Sequence, residues 1–400
     1  MKRLFALFLL FACMPGHAAA EGPAVDARLS ALQQQSSLPG FAVAVVSNKG
    51  VLYQHGFGLA DLQAKRPYTH ETLQNVGSVS KTLVGVAVVK AIELGYFGLD
   101  TEINRILPFK VQHPHTGAPI TVRHLVTHTS GIVDDDEIYG HSYYLLPHAD
   151  KNSPLYRQFK RDFTLPGRED LSLGGFLKAY LAAGGRHYRK TNFDKAAPGS
   201  AYHYSNIGAA LAAYLVEVKS GQSFDAFTRR HIFEPLQMRA TSWRPDPALA
   251  KRQAQVYNRR QQAYPRYALI TYPDGGLTTS AADLARFLTA MVQGYKGGEN
   301  VLSKAGFTLL FDPQFAPDAL PEGSPAGEPN SGVFWRIRRN GQVGHTGSDP
   351  GVTAFMFIDP ASGTGRILMT NTEFSSDGEE DDPRVVQQFR GVWKELGAVR

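Results

Sequence analysis

Three short motifs, far apart in the chain, contain residue types that together can perform acyl transfer. The motifs are Ser78-Val79-Ser80-Lys81, Tyr204-Ser205-Asn206 and His345-Thr346-Gly347. A serine hydroxyl becomes a useful nucleophile only when a neighbouring group removes its proton, and lysine and tyrosine can both do this. An asparagine supplies a polar anchor, and main-chain N–H groups stabilise a developing oxyanion. The combination predicts a reaction that passes through a covalent serine ester.

Ser78 and Lys81 are three residues apart at the start of a predicted helix, so their side chains share one face of that helix. A lysine accepts a proton only when burial or a cationic neighbour lowers its pKa. The helix that follows is apolar on nearly every side, which predicts that it is buried. A Ser-x-x-Lys string is expected about once by chance in a chain of this length, so its meaning depends on the other two motifs.

Tyr204 and Asn206 follow a Pro-Gly turn and precede a second apolar helix, which predicts a loop at the start of that helix. Tyr204 is predicted to carry a proton between Ser78 and the leaving group. Asn206 is predicted to hold Lys81 or a substrate amide, and the alternative is that it caps the helix. We interpret Ser205 as structural.

The third motif follows a strand-like run. Gly347 would let the backbone of a ligand approach the strand edge closely, with Thr346 beside it. The backbone N–H groups of Ser348 and Ser78 would form an oxyanion hole. His345 is predicted to lie beside a substrate carboxyl or beside the serine, lysine and tyrosine, although a single histidine on a strand is often only structural.

Strand-like and helical patterns divide the chain into a mixed part and a helical part. Two β-rich runs flank a turn at 48–50, and more strand-like runs occur after residue 330. The middle is mostly helical, with strongly apolar helices predicted at 78–94 and 207–218. Strands from both chain ends can join one antiparallel sheet flanked by helices, so the predicted fold class is α+β with a mostly helical insert.

The sequence also predicts how the chain is divided, with a cleft between two parts of one domain. The insertion within the helical part is rich in aromatic residues and is either a substrate lid or a surface loop with its own aromatic cluster. The predicted boundaries are a signal peptide at 1–20, a single catalytic domain at 21–400, its α/β part at about 21–75 and 268–400, its helical part at about 76–267, and the irregular insertion at about 134–167.

The first twenty residues have the pattern of a secretory signal. Two basic residues precede an apolar run at 4–13, and three alanines at 18–20 form a small-residue cleavage site. The apolar run is too short to span a bilayer, so the sequence predicts an exported protein, periplasmic or secreted, without a membrane span. The one cysteine, Cys13, lies in this segment. Its lipidation is an alternative, although Phe11 is bulky where lipoprotein signals have a small residue.

The composition argues against several other classes of protein. The chain has 400 residues, of which 43% are hydrophobic and 20% charged, and its formal charge is +6. These values are ordinary for a globular protein, and no Lys/Arg run is dense enough for a nucleic-acid surface. No His-Glu-x-x-His spacing occurs, and nothing else points to a metal or an organic cofactor. The expected partner is therefore a small-molecule or peptide substrate, and the oligomeric state is not predicted.

The motifs resemble those of the serine β-lactamase-related and penicillin-binding hydrolases, near class C β-lactamases, DD-carboxypeptidases and their esterase relatives. The resemblance covers about residues 38–371, and its anchors are the segments 77–82, 120–132, 204–206, 274–280 and 344–348. It implies a β-lactamase/DD-peptidase-like fold. It also implies that Ser78 is the acylated nucleophile, Lys81 its proton acceptor and Tyr204 the second acid/base.

By the same resemblance, Asn206 positions Lys81 and the substrate, and His345 stands where most β-lactamases have lysine. Histidine there resembles some DD-peptidases, D-aminopeptidases and esterases, and it argues against efficient antibiotic hydrolysis. The resemblance thus implies an exported serine hydrolase acting on D-amino-acid peptides or related amides. The alternatives are a small-ester esterase or a β-lactamase and, outside the enzymes, a penicillin-binding sensor without turnover.

Overall fold

The computed structural model describes residues 18–146, 149–163, 172–374 and 383–399, so positions 1–17 of the predicted signal peptide lie outside the described residues. The strands are β1 Gly40–Ser47, β2 Gly50–Asp61, β3 Arg66–Pro67, β4 Leu73–Asn75, β5 Tyr143–Leu145, β6 Tyr267–Leu269, β7 Thr278–Ser280, β8 Asn330–Ser331, β9 Arg336–Ile337, β10 Val343–Asp349, β11 Val352–Asp359 and β12 Thr364–Thr370. The α-helices are α1 Ala18–Gln34, α2 Ser80–Glu93, α3 Val122–Val126, α4 Asp136–Gly140, α5 Tyr156–Phe163, α6 Leu173–Leu181, α7 Asn206–Ser220, α8 Phe224–Thr228, α9 Ala281–Tyr295, α10 Lys304–Phe311 and α11 Pro383–Leu396. In these ranges no helix combines the length and the apolar character needed to cross a bilayer.

Strands from both ends of the chain form one antiparallel sheet of eight strands. Its order is β3-β2-β1-β12-β11-β10-β9-β8, so the first hairpin pairs directly with the last strand. Phe41 lies opposite Thr370 in that pairing. The predicted α+β class, with an antiparallel sheet built from both chain ends, is therefore confirmed.

Alternation along β1 separates the two faces of this sheet. Phe41, Val43 and Val45 are buried in a core layer with residues of α1 and α11. Ala42 and Ala44 face the larger core on the other side, where α9 crosses β1. Because successive side chains of a strand point to opposite faces, one apolar strand serves both layers.

Helices α2 and α7 pack against each other in the buried centre of the helical part. The helix predicted at 78–94 differs at its start, because α2 begins at Ser80 and Ser78 lies in a preceding 3₁₀ turn, Gly77–Val79. The N–H of Val79 bonds the carbonyl of Val76 at 3.3 Å, three residues back, which makes this turn tighter than an α-helix.

The segment predicted to be irregular contains regular elements. It includes α4, β5 and α5, and β5 pairs with β6, a strand distant in sequence. Tyr143, Phe159 and Leu269 are buried together there. The prediction of irregular structure is therefore wrong for these residues, because the partner that orders β5 lies outside any local pattern. Positions 147–148 and 164–167 of the predicted insertion lie outside the described residues.

Candidate active site

Ser78 lies where the 3₁₀ turn meets α2, and its Oγ accepts two hydrogen bonds. Lys81 Nζ donates one at 3.0 Å, and the Tyr204 hydroxyl donates the other at 2.7 Å. The predicted nucleophile thus has both predicted proton carriers within hydrogen-bond distance.

Lys81 is completely buried and has three acceptors around its ammonium group. Besides Ser78, these are Asn206 Oδ1 at 2.7 Å and the main-chain carbonyl of Asp274 at 2.6 Å. An ammonium group has three N–H donors, so each donor has an acceptor. The prediction that Lys81 is buried, which rested on the apolar helix around it, is confirmed by its zero exposure.

The start of α7 brings Tyr204 and Asn206 to this lysine. Ser205 is the N-cap, and its side chain accepts the N–H of Gly208 at 2.8 Å, so the alternative that Asn206 caps the helix is wrong. The Asn206 side chain is instead free to point at Lys81, because the preceding residue satisfies the helix start.

Asp134, which sequence reasoning missed, braces this helix start. Its carboxylate accepts the Ser205 hydroxyl at 2.7 Å and the backbone N–H groups of Asn206 and Ile207 at 2.6 and 3.2 Å. Burial raises the pKa of Asp134, and these hydrogen bonds and the charge of Lys81 oppose the rise. A carboxylate at a helix N-terminus is favoured by the helix dipole.

His128 packs behind Tyr204, with the ring centroids 4.5 Å apart. Its Nδ1 accepts the N–H of Ser205 at 3.2 Å, and its backbone has a positive φ of 58°. Burial, Arg336 and Lys81 together lower the pKa of His128 well below the usual value, so the ring is neutral near pH 7. These contacts indicate that His128 supports the Tyr204 loop and does not transfer a proton.

Strand β10 passes the Ser78 turn at unusually close range. A Cβ on Gly347 would lie 2.0 Å from the carbonyl oxygen of Val76, and a Cβ on Gly77 would lie 2.8 Å from the backbone nitrogen of Ser348. Only glycine at both positions permits this approach. The Ser348 main chain is therefore held against the turn that carries Ser78.

His345 is 2% exposed and lies on β10 beside Tyr204, with ring centroids 6.1 Å apart. Its Nδ1 contacts the carbonyl of Thr346. Burial first, then the charges of Arg336 and Lys81, lower the pKa of His345 well below the usual value. This position therefore contributes a neutral ring near pH 7, where a lysine would contribute a charge.

A cleft of about 660 Å³ opens above Ser78. The predicted residues Ser78, Tyr204, Asn206, His345, Thr346 and Ser348 all line it, whereas Gly347 packs beneath it against the turn. The rest of the wall is mostly aromatic or charged and includes Asp136, Tyr139, Tyr143, Arg259, Tyr264, Arg336, Asp349, Glu373 and Phe374. The guanidinium carbon of Arg336 lies 5.1 Å from the ring centre of Tyr204.

Comparison with known proteins agrees with this fold. Residues 25–389 match the beta-lactamase family. The chain is 26% identical over 391 residues to penicillin-binding protein 4 of Amycolatopsis lactamdurans, covering 93% of this chain and 90% of that protein. It is 33% identical over 208 residues to esterase EstB of Burkholderia gladioli, covering 50% of this chain and 45% of the esterase.

Among solved structures, the octameric penicillin-binding protein homologue from Pyrococcus abyssi superposes with a TM-score of 0.70. It is 23% identical, and the match covers 94% of this chain and 77% of that one. This likeness confirms the predicted β-lactamase/DD-peptidase-like fold. Since the family match spans most of the chain, the chain belongs to the beta-lactamase family and is a serine hydrolase.

Proposed function

We propose that Ser78 is the acylated nucleophile of an exported hydrolase that acts on D-amino-acid peptides or related amides. The observation that carries the proposal is the pair of hydrogen bonds on Ser78 Oγ, from Lys81 Nζ at 3.0 Å and from the Tyr204 hydroxyl at 2.7 Å. Both proposed proton carriers therefore lie within hydrogen-bond distance of the serine oxygen.

In the acylation step, Ser78 Oγ bonds the substrate carbonyl carbon while its proton passes to Lys81 in the neutral amine form. Tyr204 donates its proton to the leaving nitrogen or oxygen as the bond to the carbonyl carbon breaks, and Lys81 reprotonates it. Water then attacks the ester carbonyl, one water proton returns to Ser78, and the acid product leaves. Asn206 keeps Lys81 aimed at the serine through its 2.7 Å contact.

The backbone N–H groups of Ser78 and Ser348 are the proposed oxyanion hole. The close packing of Gly77 and Gly347 supports this assignment, because it brings the Ser348 main chain next to the nucleophile turn. Preorganised donors of this kind usually contribute the largest part of the stabilisation of the transition state. Thr346 and His345 would then flank the acyl group along β10.

Three substrate classes remain for this site. A D-amino-acid peptide is favoured because a relative that matches most of the chain is a penicillin-binding protein. A small ester is the second candidate, favoured by the 33% identity to an esterase over half of the chain. Hydrolysis of a β-lactam ranks third, because a neutral His345 stands where most β-lactamases have lysine. A penicillin-binding sensor would acylate Ser78 and not turn over.

Export is part of the proposal and rests on the predicted signal at residues 1–20. Fractionation of cells expressing the full chain, with N-terminal sequencing of the product, tests it. A mature protein that begins at Glu21 in the periplasm or medium supports the proposed cleavage. A lipid-modified Cys13 would support the alternative anchor.

The function is tested with a panel of D-Ala-D-Ala peptides, short-chain esters and a chromogenic cephalosporin. Ser78→Ala should abolish turnover on every active substrate without changing thermal unfolding, and Tyr204→Phe should slow it strongly. Ser220→Ala, at the opposite end of α7 from Asn206, is a matched control that should keep full activity. Unchanged turnover in Ser78→Ala would refute the proposal, and a stable Ser78 adduct without product would identify the sensor instead.

A further inference from the structure

Two buried carboxyl residues that the proposed mechanism does not use are connected by hydrogen bonds to the turn of Ser78 and to Lys81. Asp349, at the end of β10, is 8% exposed, and Asp274 is completely buried. An ionisable side chain is seldom buried to this extent without specific partners. The hydrogen-bond partners of each aspartate connect residues of the cleft wall with Ser78 or Lys81.

Asp349 has three hydrogen-bond donors. Its Oδ1 accepts the Tyr143 hydroxyl at 2.5 Å, and its Oδ2 accepts the Tyr267 hydroxyl at 3.1 Å and the side-chain amide of Asn75. Asn75 in turn accepts the backbone N–H of Gly77 at 2.5 Å through its own Oδ1. This contact is with the residue immediately before Ser78, so Asp349 is two hydrogen bonds away from the turn that carries the nucleophile.

Asp274 contacts Lys81 directly through its main chain, while its carboxyl contacts Tyr139. Its main-chain carbonyl accepts Lys81 Nζ at 2.6 Å, and its Oδ1 accepts the Tyr139 hydroxyl at 3.0 Å. Tyr139 and Tyr143 belong to α4 and β5, and their rings meet edge to face with centroids 5.9 Å apart. Both tyrosines also line the cleft.

We propose that Tyr139, Tyr143, Asp274, Asp349 and Asn75 form a clamp through which the α4–β5 segment positions the turn of Ser78 and the ammonium group of Lys81. The segment that shapes the cleft therefore also sets the geometry of the nucleophile. In this proposal Asp349 is a positioning residue, because it acts on Ser78 only through Asn75 and Gly77. The proposal rests on the proposed function of Ser78.

The clamp changes its charge near neutral pH. Burial raises the pKa of Asp349 to about 7, against the opposing effect of Tyr143, Tyr267, Asn75 and the charge of Lys81. Burial raises the pKa of Asp274 to about 7 as well, opposed by Lys81, Thr271 and Tyr139 and reinforced by Asp134. Tyr139 and Tyr264 also sense the charge of Asp349, and Asp136, Arg259, Arg336 and Glu373 are the other charged groups of the same cleft.

The ionised carboxylate accepts stronger, charge-assisted hydrogen bonds from tyrosine than the neutral acid does. Asparagine has nearly the shape of the neutral acid and cannot ionise. Asp349→Asn should therefore match the wild type at acidic pH and fall behind as pH rises. Since a displacement of about 1 Å at a nucleophile can cost about a hundredfold in rate, we expect a deficit of about tenfold at alkaline pH.

The test measures the rate of Ser78 acylation by a small ester, p-nitrophenyl acetate, whose acyl group is too short to need the aromatic wall. We expect the ratio of wild-type to Asp349→Asn rates to rise from near one at about pH 5 to about ten at about pH 9. Tyr143→Phe, which removes one oxygen atom, should slow acylation at alkaline pH. A variant that combines Asp349→Asn and Tyr143→Phe should be no slower than the slower single variant, because both changes disrupt the same hydrogen bond between Tyr143 and Asp349.

Two controls remove buried groups that do not touch the site. Asp283→Asn alters a carboxylate that accepts the N–H of Ala240, and Tyr257→Phe removes a hydroxyl that accepts the N–H of Leu62. Both should leave the acylation rate and its pH profile unchanged even if they lower thermal stability. If the ratio of wild-type to Asp349→Asn acylation rates does not depend on pH, the clamp proposal is refuted. The same holds if this ratio equals the one measured for Asp283→Asn.

The outcome also separates the clamp from the proposed function. Wild-type acylation at Ser78, detected by mass spectrometry, together with normal rates in folded Asp349→Asn and Tyr143→Phe, would refute only the clamp. If the wild type forms no adduct at Ser78 with any substrate of the panel, both proposals fail. If Asp349→Asn does not fold, Tyr143→Phe decides alone, because phenylalanine keeps the packing of the ring.

Discussion

Replacing Asp274 with asparagine should stabilise the protein at alkaline pH and leave its stability nearly unchanged at acidic pH. The Asp274 carboxyl is completely buried, and its pKa is raised from 3.8 to about 7. Between these two values the folded protein keeps a proton that the unfolded chain releases. The free energy of unfolding therefore falls as pH rises through this interval.

The size of the effect follows from the shift. One pKa unit corresponds to 1.36 kcal/mol, so a rise from 3.8 to about 7 costs the ionised wild type about 4 kcal/mol relative to a side chain that stays neutral. Asparagine stays neutral and can still accept the Tyr139 hydroxyl. The difference in unfolding free energy between the variant and the wild type should be small near pH 4 and approach this upper value above pH 7.

Equilibrium unfolding in guanidinium chloride, followed by circular dichroism at several pH values, measures this difference. Titration of other groups cancels because only the difference between the two proteins is used. Asp318→Asn, at a solvent-exposed position, is the matched control and should show no such pH dependence. A difference for Asp274→Asn that is constant with pH, or a wild type that gains stability relative to the variant as pH rises, would refute the reasoning.

Three further variants test the site. Asn206→Ala removes one charge-assisted hydrogen bond from Lys81, which is worth about 1.5–3 kcal/mol. The variant should therefore slow acylation about 10- to 100-fold in stopped-flow measurements. A change of only about twofold would contradict the role of Asn206. Gly347→Ala places a Cβ 2.0 Å from the Val76 carbonyl oxygen. It should lower the unfolding free energy by about 1–3 kcal/mol and also lower activity. Full activity would mean that the close packing of β10 does not position the turn of Ser78. Below about pH 6.5 the unfolded wild-type chain binds a proton at His345 that the folded protein does not bind, so the wild type loses stability as pH falls. His345→Gln should reduce this loss. An equal change in unfolding free energy between about pH 7 and 5 for both proteins would exclude this.

Local sequence was sufficient to predict which residues lie together in the candidate site. The three-residue step from Ser78 to Lys81 and the apolar helix around it are properties of one segment, and the structure brings Lys81 within 3.0 Å of the serine. The placement of Tyr204 and Asn206 was predicted from a turn and the start of a helix, and both residues lie in the candidate site. The sheet could be predicted because β-rich runs and turn residues are also local signals.

The supporting residues could not be predicted because their contacts join distant segments. Asp134 braces the start of α7 from 71 residues away, and Tyr143 reaches Asp349 across 206 residues. An aspartate next to a turn looks the same in sequence whether it is solvated or buried. The protonation preference of each carboxyl depends on burial, and burial exists only after the segments have met.

The sequence by itself predicted the proposed nucleophile, its two proposed proton carriers and the order of the elements that hold them, because residue type and periodicity are local and the motif combination is specific. The tertiary structure alone decided that His345 is a buried neutral ring, since this depends on Arg336 and Lys81 approaching it from other elements. It also decided that the described part of the aromatic insertion contains α4, β5 and α5, and that its Tyr139 and Tyr143 donate hydrogen bonds to Asp274 and Asp349. The proposed chemistry could thus be predicted from the sequence, whereas the electrostatics and the shape of the cleft arise from contacts between segments remote in sequence.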